Sequence, residues 1–138
     1  MKKRGFGTGK WNGVGGKVDL DEAIETAMIR ECQEEIGVTP LDYKSAGTMI
    51  FDEVFGAKRE KVKIHIFTSC AWEGTPTESE EMAPAWHPAH SLPYENMWSA
   101  DIHWLPVVLA GNKIRADFRL DATERVITHA LEETGRWQ

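Results

Sequence analysis

Cysteine is scarce in this sequence, and long apolar runs and excess positive charge are missing altogether. Only two cysteines occur in 138 residues, Cys32 and Cys70, far apart and in apolar settings. A chain of this length buries a core without a disulfide, so free, buried thiols in a reducing cytoplasm are expected. No segment approaches the roughly 18 consecutive apolar residues of a membrane span. The basic N-terminus also lacks the apolar stretch of a signal peptide. Both absences argue for a cytoplasmic protein with no membrane partner. A net charge of −6 speaks against broad binding to a nucleic-acid polymer, which needs a basic surface to release counterions. It leaves room for one small polyphosphate, because a bound divalent cation inverts the local field. Lys2, Lys3, Arg4 and Lys10 crowd the start of the chain.

Several mechanistic classes are missing as well. Gly9-Lys10-Trp11 and Gly16-Lys17-Val18 lack the Ser/Thr and upstream glycine of a phosphate-cradling loop. His87 and His90 have no cysteine beside them to complete a zinc site. No Ser-His-Asp set can be inferred. With no repeat, linker or low-complexity tract, residues 1–138 read as a single domain.

What is present is ordinary for a globular chain: 41% hydrophobic and 28% charged residues. Residues 5–16 read as a glycine-rich loop or a short strand with turns. Residues 19–37 hold the clearest helix, with Asp19 and Glu22 at capping-box spacing and Gly37 suited to the left-handed residue that ends it. Strands are expected at 48–54 and 61–71. The second alternates Val62, Ile64 and Ile66 against Lys61, Lys63 and His65, a period of two with one wet face; residues 56–60 would form the hairpin turn. A short strand around Met82–Trp86 and a proline-punctuated loop follow. A short helix is expected within 100–110, with Pro106 in its first turn or a later start, then a strand near 113–120. A last helix is expected over 122–134, capped by Asp121 and Glu124 and apolar along Val126, Ile127, Ala130 and Leu131. Strands mixed with two flanking helices give an α/β sandwich.

The helix at 19–37 carries the chemistry. With Ile24 as reference and about 100° per residue, Ala27, Met28 and Cys32 fall within about 80° and mark a buried stripe. Glu31 and Glu35 lie within about 20° of the same line, and Glu34 about 80° away. Burying an ionised carboxylate without a partner costs several kcal/mol or drives it neutral. Glu31, Glu34 and Glu35, at i, i+3 and i+4, can converge on one point, and hard oxygen ligands so placed suit Mg²⁺ or Mn²⁺. The alternative is a solvated acidic face, which most Glu-rich helices are.

The pattern Gly16-x5-Glu22-x7-Arg30-Glu31-Cys32-Gln33-Glu34-Glu35-Ile36-Gly37-Val38 resembles the signature of the Nudix hydrolases, with every glycine, glutamate and arginine position matched. Cys32 stands where the family has a bulkier aliphatic residue. The resemblance implies a Nudix-like α/β/α sandwich with a mixed sheet and two main helices. It also implies divalent metal held by Glu31, Glu34 and Glu35, with the carbonyl of Gly15 or Gly16 close by and Glu81 as an added ligand from a distant loop. Arg30 would pair with a helix carboxylate, one of Glu34 and Glu35 would help activate the attacking water, and Glu22 would orient the loop.

Lys2-Lys3-Arg4-Gly5-Phe6-Gly7, Trp11-Asn12-Gly13, Gly74-Thr75-Pro76, Glu78-Ser79, Glu81-Met82 and Met97-Trp98 are similar to the mammalian-type MutT-homologue branch of that family. Its members hydrolyse oxidised purine nucleoside triphosphates such as 8-oxo-dGTP to the monophosphate and pyrophosphate, sanitising the nucleotide pool. Carried over, Asn12 and Asp101 would hydrogen-bond the purine edge and Trp98 would stack on its face. Phe6, Phe51 and Trp104 would line the pocket, and Lys2 would reach the phosphates. Where the branch has paired aspartates, this chain has Ala100-Asp101. Members also begin with an apolar strand ahead of the segment matching Met1–Gly7. That strand is expected to be missing here, so the monomer otherwise expected would lose stability or self-associate. The alternatives are a Nudix hydrolase of another diphosphate-linked compound, or a non-catalytic nucleotide-binding module.

Overall fold

A computed structural model describes all residues, Met1–Gln138. The elements are α1 (Ile24–Ile36), β1 (Thr39–Leu41), β2 (Lys44–Phe55), β3 (Lys58–Thr68), β4 (Ala71–Glu73), a 3-10 turn at Tyr94–Asn96, α2 (Asp101–Leu109), β5 (Asn112–Leu120) and β6 (Val126–Arg136). They divide between two compact units, Met1–Tyr43 with Ser69–His87 and Lys44–Thr68 with Pro88–Gln138. No helix is long and apolar enough to cross a membrane.

In the first unit, α1 ends at Gly37, whose φ of 71° and N–H bond to the Gln33 carbonyl close the last turn. The helix starts later than expected, after Ala23. Asp19 and Glu22 still make half of a capping box in the turn ahead of it: the Asp19 N–H donates to Glu22 Oε1 at 3.0 Å. β1 and β4 form a two-stranded antiparallel ribbon. The glycine-rich start folds into turns stitched to the segment after β4. Lys2 forms an isolated bridge with Met82, Lys3 N–H donates to the Glu81 carbonyl, and Met1 is bonded to Ala83. The strand expected around Met82–Trp86 reduces to that one bridge, because the two prolines at 84 and 88 have no N–H to extend a ladder.

The second unit is a four-stranded mixed sheet in the order β3-β2-β5-β6. β2 pairs antiparallel with β3 and parallel with β5, and β5 pairs antiparallel with β6. β5 alternates strictly: Ile114, Ala116, Phe118 and Leu120 are buried while Arg115, Asp117 and Arg119 are exposed. The buried set meets Met49 and Phe51 of β2 and Val108 of α2 in one core. Phe51 and Phe118 are register partners whose rings stack at 5.3 Å. Phe118 is among the most deeply buried side chains, and full burial of such a ring is worth roughly 1.5–3 kcal/mol. Gly47, at φ 116°, is required where β2 approaches β5: a Cβ there would lie 1.8 Å from the Ile114 carbonyl oxygen.

Four expectations are corrected. Residues 122–134 are not a helix but the start of a turn and most of β6. Asp121 Oδ1 accepts from the Thr123 and Arg125 N–H groups, so it builds a turn rather than a helix cap. Val126-Ile127-Thr128 are then β-branched residues on an extended strand. The second helix is α2, which contains Pro106 in its interior; Ile102, whose carbonyl loses that N–H, is exposed to water. The hairpin between β2 and β3 turns on Gly56-Ala57 alone, and β3 is a sheet edge on which Val62 and Ile64 are exposed and only Ile66 is buried. The cysteines are both free, but Cys32 is half-buried and Cys70 exposed, outside any apolar core.

Candidate active site

The first unit gathers the acidic residues. Arg30 leaves α1 as a fork. Its Nε and Nη2 donate to the two Glu22 oxygens at 2.8 and 3.0 Å, Nη2 also donates to the Lys17 carbonyl at 3.0 Å, and Nη1 donates to Glu31 and Glu34 at 3.1 and 3.2 Å. A bidentate guanidinium–carboxylate pair of this length is among the stronger protein contacts. The Arg30 hydrogen bonds, aided by the Asp19 N–H, hold the Glu22 carboxyl below its ordinary pKa, and the Glu22 contact raises that of Arg30. One side chain thereby joins the loop at 17–22 to the helix carboxylates.

Glu35 stands apart from this network. Only 2% of it is exposed, and its nearest cation is the Lys2 ammonium, 3.9 Å from Oε1. That is about 1 Å too long for a charge-assisted hydrogen bond. Lys2 is shared with Glu81 at the same distance, and Arg4 holds the other Glu81 oxygen at 3.3 Å. Burial pushes the Glu35 carboxyl above its ordinary pKa; Lys2 and the Gly15 N–H offset part of this, and Glu31 and Glu81 add to it. Glu35 Oε2 is buried with no hydrogen-bond partner, a lone pair that costs about 1–3 kcal/mol or more for a charged group. Beside it, Glu31 lies so close over Gly16 that a Cβ there would sit 2.3 Å from Oε1, so only glycine admits this approach.

In this arrangement Glu31, Glu34 and Glu35 do not meet at one point, and no three His, Cys, Asp or Glu side chains stand in ion-holding geometry. Arg30, one and four residues from Glu31 and Glu34, is the full positive charge within their reach and draws both to itself. Glu34 is largely exposed. The donor set nevertheless fits a hard divalent cation: carboxylate oxygens from one helix face, a buried open oxygen on Glu35, and a glycine cradle beside Glu31. Lys2 lies among carboxylates rather than apart from them. Asn12 is exposed, its Oδ1 accepting from the Gly13 N–H, and Phe6 is 66% exposed.

The second unit holds the remaining candidates. Phe51 is buried in the core against Phe118. Asp101, the first residue of α2, is 6% exposed, and Trp104 Nε1 donates to its Oδ1 at 3.0 Å. Trp98 and Asp101 are the two ends of one turn, closed by the Asp101 N–H on the Trp98 carbonyl at 3.0 Å. Ala100 is buried at 2%. The Trp104–Asp101 bond was readable as i, i+3 spacing on a helix but was missed.

Glu53 was also missed. It follows Met49 and Phe51 on the same face of β2, and burial, then the Glu124 charge, raises its pKa above the ordinary 4.5. A folded state that binds this proton more tightly is favoured at low pH and loses that advantage as pH rises from 4.5 through the raised value. Glu53→Gln is therefore expected to raise the melting temperature by a few degrees at pH 7.5 and to have little effect at pH 4. Thermal scans of both proteins across that range check it.

A family model described as the NUDIX domain matches residues 1–108. The chain is 41% identical over 133 residues to "Oxidized purine nucleoside triphosphate hydrolase" of Danio rerio, covering 96% of this chain and 84% of that protein. It is 38% identical, with the same coverage, to the protein of that name from Mus musculus. Among solved structures, the mutator MutT protein from Bacillus halodurans superposes with a TM-score of 0.77 at 20% identity, over 90% of this chain and 83% of that one. That likeness shows the fold, a mixed-sheet α/β sandwich with two helices. With the domain model spanning most of its length and relatives matched nearly end to end, this chain belongs to the Nudix hydrolase family.

Proposed function

We propose that this chain hydrolyses purine nucleoside triphosphates, oxidised forms above all, to the monophosphate and pyrophosphate, with Mg²⁺ or Mn²⁺ as cofactor, and so sanitises the nucleotide pool. The observation that carries the reading is Glu35: a buried carboxylate with one open oxygen, on the helix that bears the family signature. The substrate class rests on the relatives' printed activity and on the match over nearly the whole chain.

Glu31, Glu34 and Glu35, with Glu81 and the carbonyl of Gly15 or Gly16, would hold the cation, which supplies polarisation of the phosphoryl group and a sharpened water nucleophile. The chain's own residues do the rest. Arg30 fixes the loop against the helix through Glu22 and Lys17, and one of Glu34 and Glu35 accepts the water proton. Lys2 serves the phosphates. In the second unit, Trp98 would stack on the base beside Phe51 and Trp104; stacking of this kind is worth roughly 1–3 kcal/mol and tolerates any base. Selectivity then comes from the edge contact of Asp101.

Nucleoside monophosphate formation from 8-oxo-dGTP, dGTP, dATP, dCTP and a sugar nucleotide, with pyrophosphate as the co-product of the triphosphates, followed with and without Mg²⁺, tests the reading. Formation that needs the cation and is fastest for the oxidised purine is expected. Preference for the pyrimidine or the sugar nucleotide, or turnover indifferent to the cation, would contradict it.

A further inference from the structure

We infer that Ser99 is the positioning residue for base recognition: its hydroxyl pegs the turn bearing Trp98 and Asp101 to the β5–β6 hairpin. This rests on the purine-nucleotide reading above and deepens it.

The peg is made of two bonds from one atom. Ser99 Oγ donates to the Glu124 carbonyl at 3.0 Å and accepts from the Val126 N–H at 3.1 Å, across 25 and 27 residues of chain. A hydroxyl that donates and accepts at once has its rotor fixed, and so has the side chain that carries it. The anchor on the other side is itself rigid. Asp121 Oδ1 gathers the Thr123 N–H at 2.8 Å, the Thr123 hydroxyl at 2.7 Å and the Arg125 N–H at 3.0 Å. The Asp121 N–H donates to the Arg125 carbonyl at 2.9 Å. Glu124 is held at φ 66°, which turns its carbonyl toward the acceptor role Ser99 uses. The ladder register breaks between Arg119 and Leu120, so Ser99 satisfies polar backbone that the strands leave over.

What the peg holds is the base-reading turn. Trp98 precedes Ser99, Ala100 follows it, and Asp101 closes the turn on the Trp98 carbonyl. Ala100 fixes one side by burial in the core, Trp104 fixes the Asp101 carboxylate, and Ser99 fixes the turn as a body. Stacking and edge hydrogen bonds both need a base-reading group placed to within about 0.5 Å and 10–20°. A loosened turn therefore costs base affinity, while the carboxylates of the first unit keep their own arrangement.

Ser99→Ala and Ser99→Thr separate this role from a merely structural one. In Ser99→Ala, KM for the oxidised purine triphosphate and the equilibrium Kd read by tryptophan quenching are expected to rise about threefold to tenfold, the worth of a hydrogen bond. kcat stays within about twofold, and the kcat/KM ratio of oxidised purine to dCTP falls by less than KM rises, because the stacking lost with Trp98 is common to both bases. Ser99→Thr, which keeps the hydroxyl, restores both constants. Unchanged KM and Kd in Ser99→Ala, a fall in kcat alone, or no rescue by threonine would overturn the inference while leaving the functional reading intact. Wild-type protein that binds no purine nucleotide would overturn both.

Discussion

Glu35→Gln is expected to lower kcat by about three orders of magnitude while leaving the protein as stable as before or more so. The carboxylate is buried, faces no cation within hydrogen-bonding distance, and keeps one oxygen without a partner. An amide of the same shape removes a buried charge, which relieves the folded state. It keeps an oxygen for the Gly15 N–H. Catalysis moves the other way. With Glu35 as a cation ligand, as proposed above, its loss forfeits several kcal/mol of charge stabilisation, and each decade of rate corresponds to about 1.36 kcal/mol. Stability gained with activity lost marks a residue kept for function. Melting curves beside steady-state pyrophosphate release check both halves. A variant with full turnover would remove Glu35 from the site, and one that is merely unfolded would make it structural.

The second large effect is expected from Arg30. Its guanidinium serves Glu22, Glu31, Glu34 and the Lys17 carbonyl together. Arg30→Ala leaves those carboxylates facing one another and unties the loop that carries Gly15 and Gly16. Exposed ion pairs are worth at most about 1 kcal/mol, and breaking buried ones costs 3–5 kcal/mol. With the guanidinium partly open to solvent, a fall of a few degrees in Tm is expected. kcat should fall about a hundredfold, as it does when groups that orient metal ligands are removed. Arg30→Lys should recover little, because an ammonium cannot make the two-pronged Glu22 contact and reach Glu31 and Glu34 as well. Activity near wild type in Arg30→Lys would show that charge alone suffices.

These expectations rest on a helix that was legible from residue order alone. Spacing placed Glu35 on the inward stripe of α1 and Gly37 at its end, and residue types placed strands within β2 and β5, because each of those signals is local; the alternation read at 61–71 located β3 but not its burial, since β3 is a sheet edge. Arg30 shows where local reading stops. Its reach to Glu31 and Glu34 follows from i+1 and i+4 spacing, but its two-pronged hold on Glu22 and its bond to Lys17 depend on how the loop folds back. The helix expected at 122–134 failed for a related reason. Asp121 and Glu124 have a spacing that serves either a helix cap or a tight turn, and the choice is made by β5, which supplies a register for β6. β1 and β4, three residues each, are too short to carry a period at all. Ser99 gave no signal, since its partners lie 25 and 27 residues away.

The most direct test is binding of Mn²⁺ to the wild type and to Glu35→Gln, read by electron paramagnetic resonance with Mg²⁺ as competitor and no nucleotide present. Binding in the wild type that Mg²⁺ displaces, weakened about tenfold or more in the variant, is the expected result. Equal affinity in the two proteins would contradict the claim that the buried carboxylate is held in place for a divalent cation.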